Sequence, residues 1–213
     1  LSNNFCIMYL NGIDNDGQIG EGAFKNCYLF RGFNDTIDLR GWYPDYGAFD
    51  GCNLLKTIHI KDFQGASYSG EPLVKVSAFN GVGEVLHLYG DTAQSLVGTT
   101  FKKVICYNLL NQYSADWFAQ TLQDGQSSPL LEEIEFLSEE QQDMRYTYGK
   151  FKLLPYLNKF IFHSQLPPLV DSDTLEDTAP NGVLVYPQGS DYSQLLSTDE
   201  YYLGYYGWTS ETF

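Results

Sequence analysis

Short segments in which apolar and polar residues alternate recur along this chain. The clearest is Leu55-Lys56-Thr57-Ile58-His59-Ile60, an L-x-x-I-x-I pattern that places two isoleucines on one face of a strand and His59 on the other. Similar runs follow, and their five centres are separated by 28, 18, 30 and 26 residues: Ile58, Leu86, Val104, Ile134 and Phe160. The pattern predicts a series of short strands, one in each repeat of roughly 20–30 residues.

A second repeated pattern, which we name the Ala-Phe box, precedes these strands. The segment Ile19-Gly20-Glu21-Gly22-Ala23-Phe24-Lys25-Asn26-Cys27 is echoed by Tyr46-Gly47-Ala48-Phe49-Asp50-Gly51-Cys52, with 25 residues between Ala23 and Ala48. A weaker copy, Ser77-Ala78-Phe79, lies before the strand at Leu86. In each box we expect glycine to relieve a tight turn, alanine to allow close backbone approach and phenylalanine to fill the space between layers.

Repeats of this kind predict a stacked architecture, because one strand and one turn cannot bury an apolar face alone. The predicted fold class is an α/β repeat solenoid with six to eight short parallel strands joined by irregular turns or short helices. Residues 1–213 are expected to form one domain. Cys27 and Cys52 occupy the same repeat position, so we expect free thiols in adjacent coils; a disulfide or metal role is the alternative.

These motifs resemble the BspA-like leucine-rich-repeat family, which is known from surface proteins of Bacteroidetes and some parasitic protists. The I-G-x-x-A-F-x-x-C box and the L-x-x-I-x-I run carry the resemblance, which extends to Val183-Leu184-Val185-Tyr186-Pro187-Gln188-Gly189-Ser190 and to Trp208. It implies an irregular leucine-rich-repeat-like solenoid in which residues 183–213 form a closing strand and a C-terminal cap. It also implies adhesion or ligand binding at a surface, without shared catalytic residues.

The charge of the chain narrows the choice of partners. With 27 acidic and 12 basic residues, the net charge is −15, and a field of that sign repels phosphate backbones and anionic lipids. The longest apolar runs are strand-length, so this segment is not expected to insert into a membrane. We expect a cell-surface or secreted protein whose export signal or anchor lies outside this chain.

Strand alternation also predicts which side chains face outward. If the isoleucines at 58 and 60 point inward, the residues between the inward positions form a column across the parallel sheet: Asp38, His59, His87, Ile105, Glu135 and Ile161. Solenoids commonly bind their ligands on such a sheet face. The column is the candidate ligand-binding site, and an ordinary exposed sheet face with no ligand is the alternative.

Other chemistry has weaker support in the sequence. His59 and His87 are a candidate zinc pair with His163 nearby, but a third ligand is missing. Asp14-Asn15-Asp16-Gly17 resembles part of a calcium loop, yet Ala23 stands where the bidentate glutamate belongs, which favours a polar turn. We therefore expect neither a metal nor a cofactor.

Catalysis is not expected either. The carboxylates at 132, 133, 135, 139 and 140 leave glycoside hydrolysis as a remote alternative, although a solvated strand edge explains them more simply. The chain contains no G-x-S-x-G, HExxH or P-loop pattern.

The sequence favours a non-catalytic binding or adhesion module that recognises a protein partner. The aromatic tail Tyr201-Tyr202-Leu203-Gly204-Tyr205-Tyr206-Gly207-Trp208 leaves a second candidate, a carbohydrate-binding module that stacks sugars on exposed aromatic rings. We favour a terminal cap for this tail, because the last repeat must shield its open core from water.

Overall fold

The computed structural model describes residues 17–45, 47–60, 76–90, 99–108, 130–145 and 150–213. Ten short strands lie in these ranges: β1 Gly17–Ile19, β2 Thr36–Asp38, β3 Trp42–Pro44, β4 Thr57–Ile60, β5 Val85–Leu88, β6 Lys103–Cys106, β7 Glu133–Phe136, β8 Lys159–Phe162, β9 Val183–Tyr186 and β10 Thr209–Thr212. Four short 3-10 helices accompany them: Val76–Phe79, Lys150–Leu153, Ser193–Leu196 and Leu203–Tyr206.

Eight of the strands form one parallel sheet in the order β10-β9-β8-β7-β6-β5-β4-β2, and β1 pairs with β3 in a separate two-stranded sheet. Within the large sheet, strands that are neighbours in space follow one another along the chain. Because the strands are parallel, each connection carries the chain back to the starting end of the next strand and completes one coil. The protein is therefore a solenoid of parallel strands, as predicted. Helical structure in the described ranges is limited to the four 3-10 turns, so they do not support the α/β part of the prediction.

The inward positions of the strands supply the core. In each strand from β4 to β8 the second and fourth residues are buried and the first and third are half-buried. The second residues stack in register, from Ile58 through Leu86, Val104 and Ile134 to Phe160. The alternation visible in the sequence thus determines which side of each strand faces the core.

The Ala-Phe boxes lie in adjoining coils, as the repeat predicts. The backbone N–H of Phe24 donates to the carbonyl of Ala48 at 2.7 Å, and that of Phe49 donates to the carbonyl of Ala78 at 2.9 Å. The rings of Phe24, Phe49 and Phe79 stack with centroid separations of 5.2 and 5.4 Å. Two alanines of this row, Ala48 and Ala78, are fully buried, which lets the coils approach closely.

The two cysteines of the boxes differ in burial. Cys52 is fully buried, and its thiol donates a 3.3 Å hydrogen bond to the carbonyl of Phe24. Cys27 packs against the core while remaining partly exposed. Equivalent repeat positions therefore share a location without sharing an environment.

The C-terminal segment packs against the neighbouring coils of the large sheet. Trp208 is buried, stacks on Phe160 at 5.3 Å, and donates from its indole nitrogen to the carbonyl of Ala179 at 2.7 Å. In β10, the positions in register with buried Leu184 and with Tyr186 are Ser210 and Thr212, both exposed. The inward positions of β10 therefore carry polar side chains, whereas those of β4 to β8 are apolar.

A candidate binding surface on the outer sheet face

The outer face of the eight-stranded sheet carries a continuous column of side chains from the third position of each strand. The parallel register aligns the third residue of every strand: Asp38, His59, His87, Ile105, Glu135, Ile161, Val185 and Glu211. All six residues predicted for the column lie in it. Asp38 and Glu211, at its two ends, are exposed, while the six between them are half-buried. We call this row the outer column.

Four aromatic side chains form a packed group at one end of the outer column. His59 and His87 stack with centroids 4.1 Å apart, and Tyr89 and Tyr107 stack with centroids 4.0 Å apart. A hydrogen bond of 3.0 Å joins His59 Nδ1 to Tyr89 Oη, and another of 3.0 Å joins His87 Nδ1 to Tyr107 Oη. Each imidazole is therefore held by two ring contacts, one to the other histidine and one to a tyrosine, and by one hydrogen bond. We call these four residues the ring cluster.

An arginine covers the outer side of the ring cluster. The guanidinium carbon of Arg40 lies 4.6 Å from the centroid of the Tyr89 ring, within the range of a cation–π contact. The same guanidinium donates to both carboxylate oxygens of Asp38, at distances from 2.6 to 3.1 Å. Burial opposes ionisation of Asp38, but these hydrogen bonds outweigh it and lower the pKa of the carboxyl. Arg40 thus connects the first residue of the outer column to the rings.

The strands on the other side of the ring cluster carry a network of paired charges. The Lys103 ammonium contacts Glu133 at 2.5 Å and Glu135 at 2.7 Å, and Lys159 lies 3.6 Å from Glu133. His163 Nε2 is 2.9 Å from the second oxygen of Glu135. These cross-strand pairs fix the side chains of β6, β7 and β8 relative to one another.

The outer face is almost neutral, whereas the molecule is strongly acidic. The outer column, the ion pairs of β6–β8 and Arg40 together hold four carboxylates and three cations: Asp38, Glu133, Glu135 and Glu211 against Arg40, Lys103 and Lys159. The whole chain has a net charge of −15. The charges described on this face therefore nearly balance, and those beside the ring cluster are paired.

Both imidazoles of the ring cluster favour the neutral form. Partial burial lowers the pKa of His87 to about 4, and the neighbouring His59 and Lys103 act in the same direction. Burial also lowers the pKa of His59, and Arg40 contributes, although Asp38 opposes the shift. Burial and the hydrogen bond with Tyr107 raise the pKa of Tyr89 to about 12. These shifts favour the neutral forms of His59, His87 and Tyr89 at neutral pH.

Glu135 of β7 differs from the protonated carboxyl of a glycosidase pair. Such an enzyme needs one carboxyl held in its protonated form. Burial opposes ionisation of Glu135, but hydrogen bonds from Lys103 and His163 outweigh it and lower the pKa of this carboxyl. Glu135 is therefore held ionised, as expected of an ion-pair member.

The aromatic tail does not present Trp208 as a sugar platform, because the indole is buried in the cap. Tyr201 and Tyr205 are the exposed rings of the segment, and Tyr205 meets Tyr206 edge to face at 5.1 Å. In the ring cluster, the Tyr89 ring contacts both the Arg40 guanidinium and the Tyr107 ring.

Sequence reasoning missed Arg40, Tyr89 and Tyr107. Each follows its outer-column residue by two positions, just past the end of the assigned strand. Extending the alternation by one more outward position would have placed all three beside the column. The predicted pattern ended at the second inward apolar residue of each strand, which is one residue before Arg40, Tyr89 and Tyr107.

Other candidate sites can be compared with the described part of the chain. Asp14, Asn15 and Asp16 of the calcium-like segment, and Cys6, lie outside it. Within the described ranges, no group of three or more histidine, cysteine, aspartate or glutamate side chains could hold a metal ion. The same ranges include no helix with the length and apolar character needed to span a membrane.

Comparison of the chain with protein-family models, with curated proteins and with solved structures finds no match.

Proposed function

We propose that this chain is a non-catalytic binding module at a cell surface or in secreted form, and that its outer sheet face recognises a protein partner. The observation that carries the proposal is the ring cluster, which lies on a sheet face eight strands wide. Tyrosine and arginine are enriched among the residues that dominate protein interfaces. The rings of Tyr89 and Tyr107 and the guanidinium of Arg40 already pack together in the free protein, so docking costs them little side-chain entropy.

The charge distribution favours a neutral or basic protein partner. The charged side chains beside the ring cluster are already paired, so a partner need not supply counter-charges there. The chain as a whole has a net charge of −15 and attracts basic proteins at long range. Acidic partners and nucleic acids are disfavoured by the same field.

We also propose that the chain is related to the BspA-like leucine-rich-repeat proteins. The support is the stacking of the Ala-Phe boxes in adjoining coils, together with the closing strand and the tryptophan that follows it. The surface location and the adhesion role follow from this relationship.

The binding proposal is tested by capture from extracellular-matrix and mucus proteins on the immobilised chain. The variant Tyr89→Ala/Tyr107→Ala should lose the captured protein at least tenfold, because two interface tyrosines are removed. The matched control is Tyr156→Ala, which removes a tyrosine that is 54% exposed in the turn before β8. Capture that is lost in the face variant and kept in the control supports the proposal. Equal capture by parent, face variant and control contradicts it.

A glycan array separates the carbohydrate alternative from the protein-binding proposal. Saturable sugar binding that disappears in Tyr205→Ala and persists in Tyr89→Ala/Tyr107→Ala would assign the function to the tail, where Tyr205 is 57% exposed. Hydrolysis of an arrayed glycan that disappears in Glu135→Gln would instead show an enzyme. Either result overturns the proposal.

A further inference from the structure

The paired histidines of the ring cluster occupy an unusual position for two groups that can both become charged. His59 and His87 are register partners on adjacent parallel strands, and their rings are stacked within 10° of parallel. The backbone hydrogen bonds of β4 and β5 keep the two side-chain origins together. Both rings are part-buried, so water screens a charge on them less than on an exposed side chain.

The surroundings of the pair combine charges of both signs. His59 faces Asp38 of β2 and Arg40 just beyond β2. It also faces His87 of β5 and Tyr89 just beyond β5. His87 faces Lys103 from β6, Tyr107 just beyond β6, and Glu135 from β7. The nearby carboxylates are themselves paired, Asp38 with Arg40 and Glu135 with Lys103. No carboxylate among the described neighbours is therefore free to neutralise a doubly protonated pair.

We propose that the ring cluster is an acid-sensitive element, which is closed while the two imidazoles are neutral and opens when both are protonated. Two cations stacked at 4.1 Å repel each other, and the sheet prevents the strands from moving apart. The rings must then leave the stack by rotating about their side-chain bonds. This proposal concerns the protein alone and does not depend on what the outer face binds.

Opening of the histidine pair is transmitted to the tyrosines through the two hydrogen bonds. In a protonated imidazole both ring nitrogens donate, so the bonds to Tyr89 and Tyr107 persist only with the tyrosine oxygens accepting. When the imidazoles rotate, these bonds break. Tyr89 and Tyr107 then lose their hydrogen bonds to the histidines. Arg40 in turn loses a fixed Tyr89 ring for its cation–π contact.

The two protons are expected to bind in order. His59 is protonated first, because Asp38 lies beside it and favours its charged form. His87 follows, since it then faces both a charged His59 and Lys103, and burial lowers its pKa to about 4. The pair should titrate in two separate steps, and opening should accompany the second.

The test is a titration of the intact protein from pH 7.5 to pH 3.5, followed by NMR of ¹³C-labelled histidine and tyrosine rings. The variants His59→Asn, His87→Asn, Tyr89→Phe and Tyr107→Phe assign the signals. The expected result is two imidazole steps below the ordinary histidine pKa of 6.5, with the Tyr89 and Tyr107 ring signals shifting in the second step. Circular dichroism at each pH checks that the sheet persists.

Two variants decide the outcome. In His59→Asn the pKa of His87 should rise, because the like charge next to it is gone; in His59→Asn/His87→Asn the tyrosine shift should disappear. His163→Asn is the matched control and should keep the shift, since His163 lies outside the ring stack. A pKa of His87 that is unchanged in His59→Asn overturns the proposal. So does a tyrosine shift that survives in the double variant.

Discussion

At the scale of the residue, the phenylalanines of the Ala-Phe boxes show how one side chain type connects successive coils. Phe49 contacts the equivalent rings of the two adjoining coils, Phe24 and Phe79. Each ring therefore packs against the same position of a neighbouring repeat. This arrangement could be predicted, because the three residues share one position in a repeated motif. The partial exposure of Cys27 could not, because it depends on which coil covers it.

Phe49→Ala should lower the free energy of unfolding by about 3–5 kcal/mol, as for other buried phenylalanine truncations. Phe49 is fully buried between Phe24 and Phe79, so the loss opens a cavity in the centre of a stack. Denaturant unfolding measures the change. Tyr156→Ala, at an exposed position, should stay within about 0.5 kcal/mol of the parent. If both variants unfold at the parental midpoint, Phe49 is not a core residue.

Cys52 and Cys106 should resist a disulfide reagent in native buffer, while Cys27 should react faster than either. The first two thiols are fully buried; burial raises the pKa of Cys52 to about 12, and it also raises that of Cys106. The reactive thiolate is therefore scarce as well as inaccessible. Mass spectrometry of the labelled peptides over time gives the order. If Cys52 were labelled before Cys27, the assignment of Cys52 as the more deeply buried thiol would be wrong.

At the scale of the element, each coil depends on turns that only glycine enters easily. Gly22 and Gly47 occupy the same place in two boxes, with φ of +61° and +62°. The sequence predicted tight turns there from the motif alone. It did not predict that the described connections would contain 3-10 turns and no α-helix, because the residues between strands have no helical periodicity to read and their conformation follows from the coils they connect.

A matched pair of glycine substitutions separates backbone strain from packing. Gly83 and Gly189 both have φ of +88°, but a Cβ on Gly83 would lie 2.4 Å from the buried Phe101 ring, whereas one on Gly189 meets nothing within 4 Å. Gly189→Ala should cost about 1–2 kcal/mol through its left-handed backbone. Gly83→Ala should cost about 1–3 kcal/mol more, because the ring must move.

Thermal or denaturant unfolding of the two variants gives the comparison. If Gly83→Ala and Gly189→Ala lowered the free energy of unfolding equally, the Phe101 ring would have moved aside at no cost. The packing between these coils would then be looser than the structure shows.

At the scale of the whole molecule, stability is built from contacts between neighbouring coils. In the large sheet each strand pairs only with the strand before it and the strand after it, so a defect at one end reaches the other only through every coil between. The cap at β10 therefore protects the nearest coils most. The outer column also belongs to this scale, because it exists only when all eight strands are aligned.

Trp208→Ala should destabilise the C-terminal coils selectively. The indole stacks on Phe160 and covers the backbone at Gly182, so its removal should cost about 3–5 kcal/mol locally. In hydrogen exchange, the amides of β8 and β9 should lose protection well before those of β4 and β5. A uniform loss along the sheet would show that the molecule unfolds as one cooperative unit and that the nearest-neighbour description is wrong.

The sequence by itself determined the positions of the strands from β4 to β9, the side of β4 to β8 that faces the core and the stacking of the Ala-Phe boxes; it did not predict β1, β3 or β10. These features depend on alternation and repetition within short segments, which any reader of the chain can see. The tertiary structure decided that Tyr89 and Tyr107 meet the two histidines, that Arg40 covers them, and that the charges of β6–β8 are paired. Those contacts join residues on different coils, and the connections between coils differ in length. Only the completed sheet, with its register, brings them together.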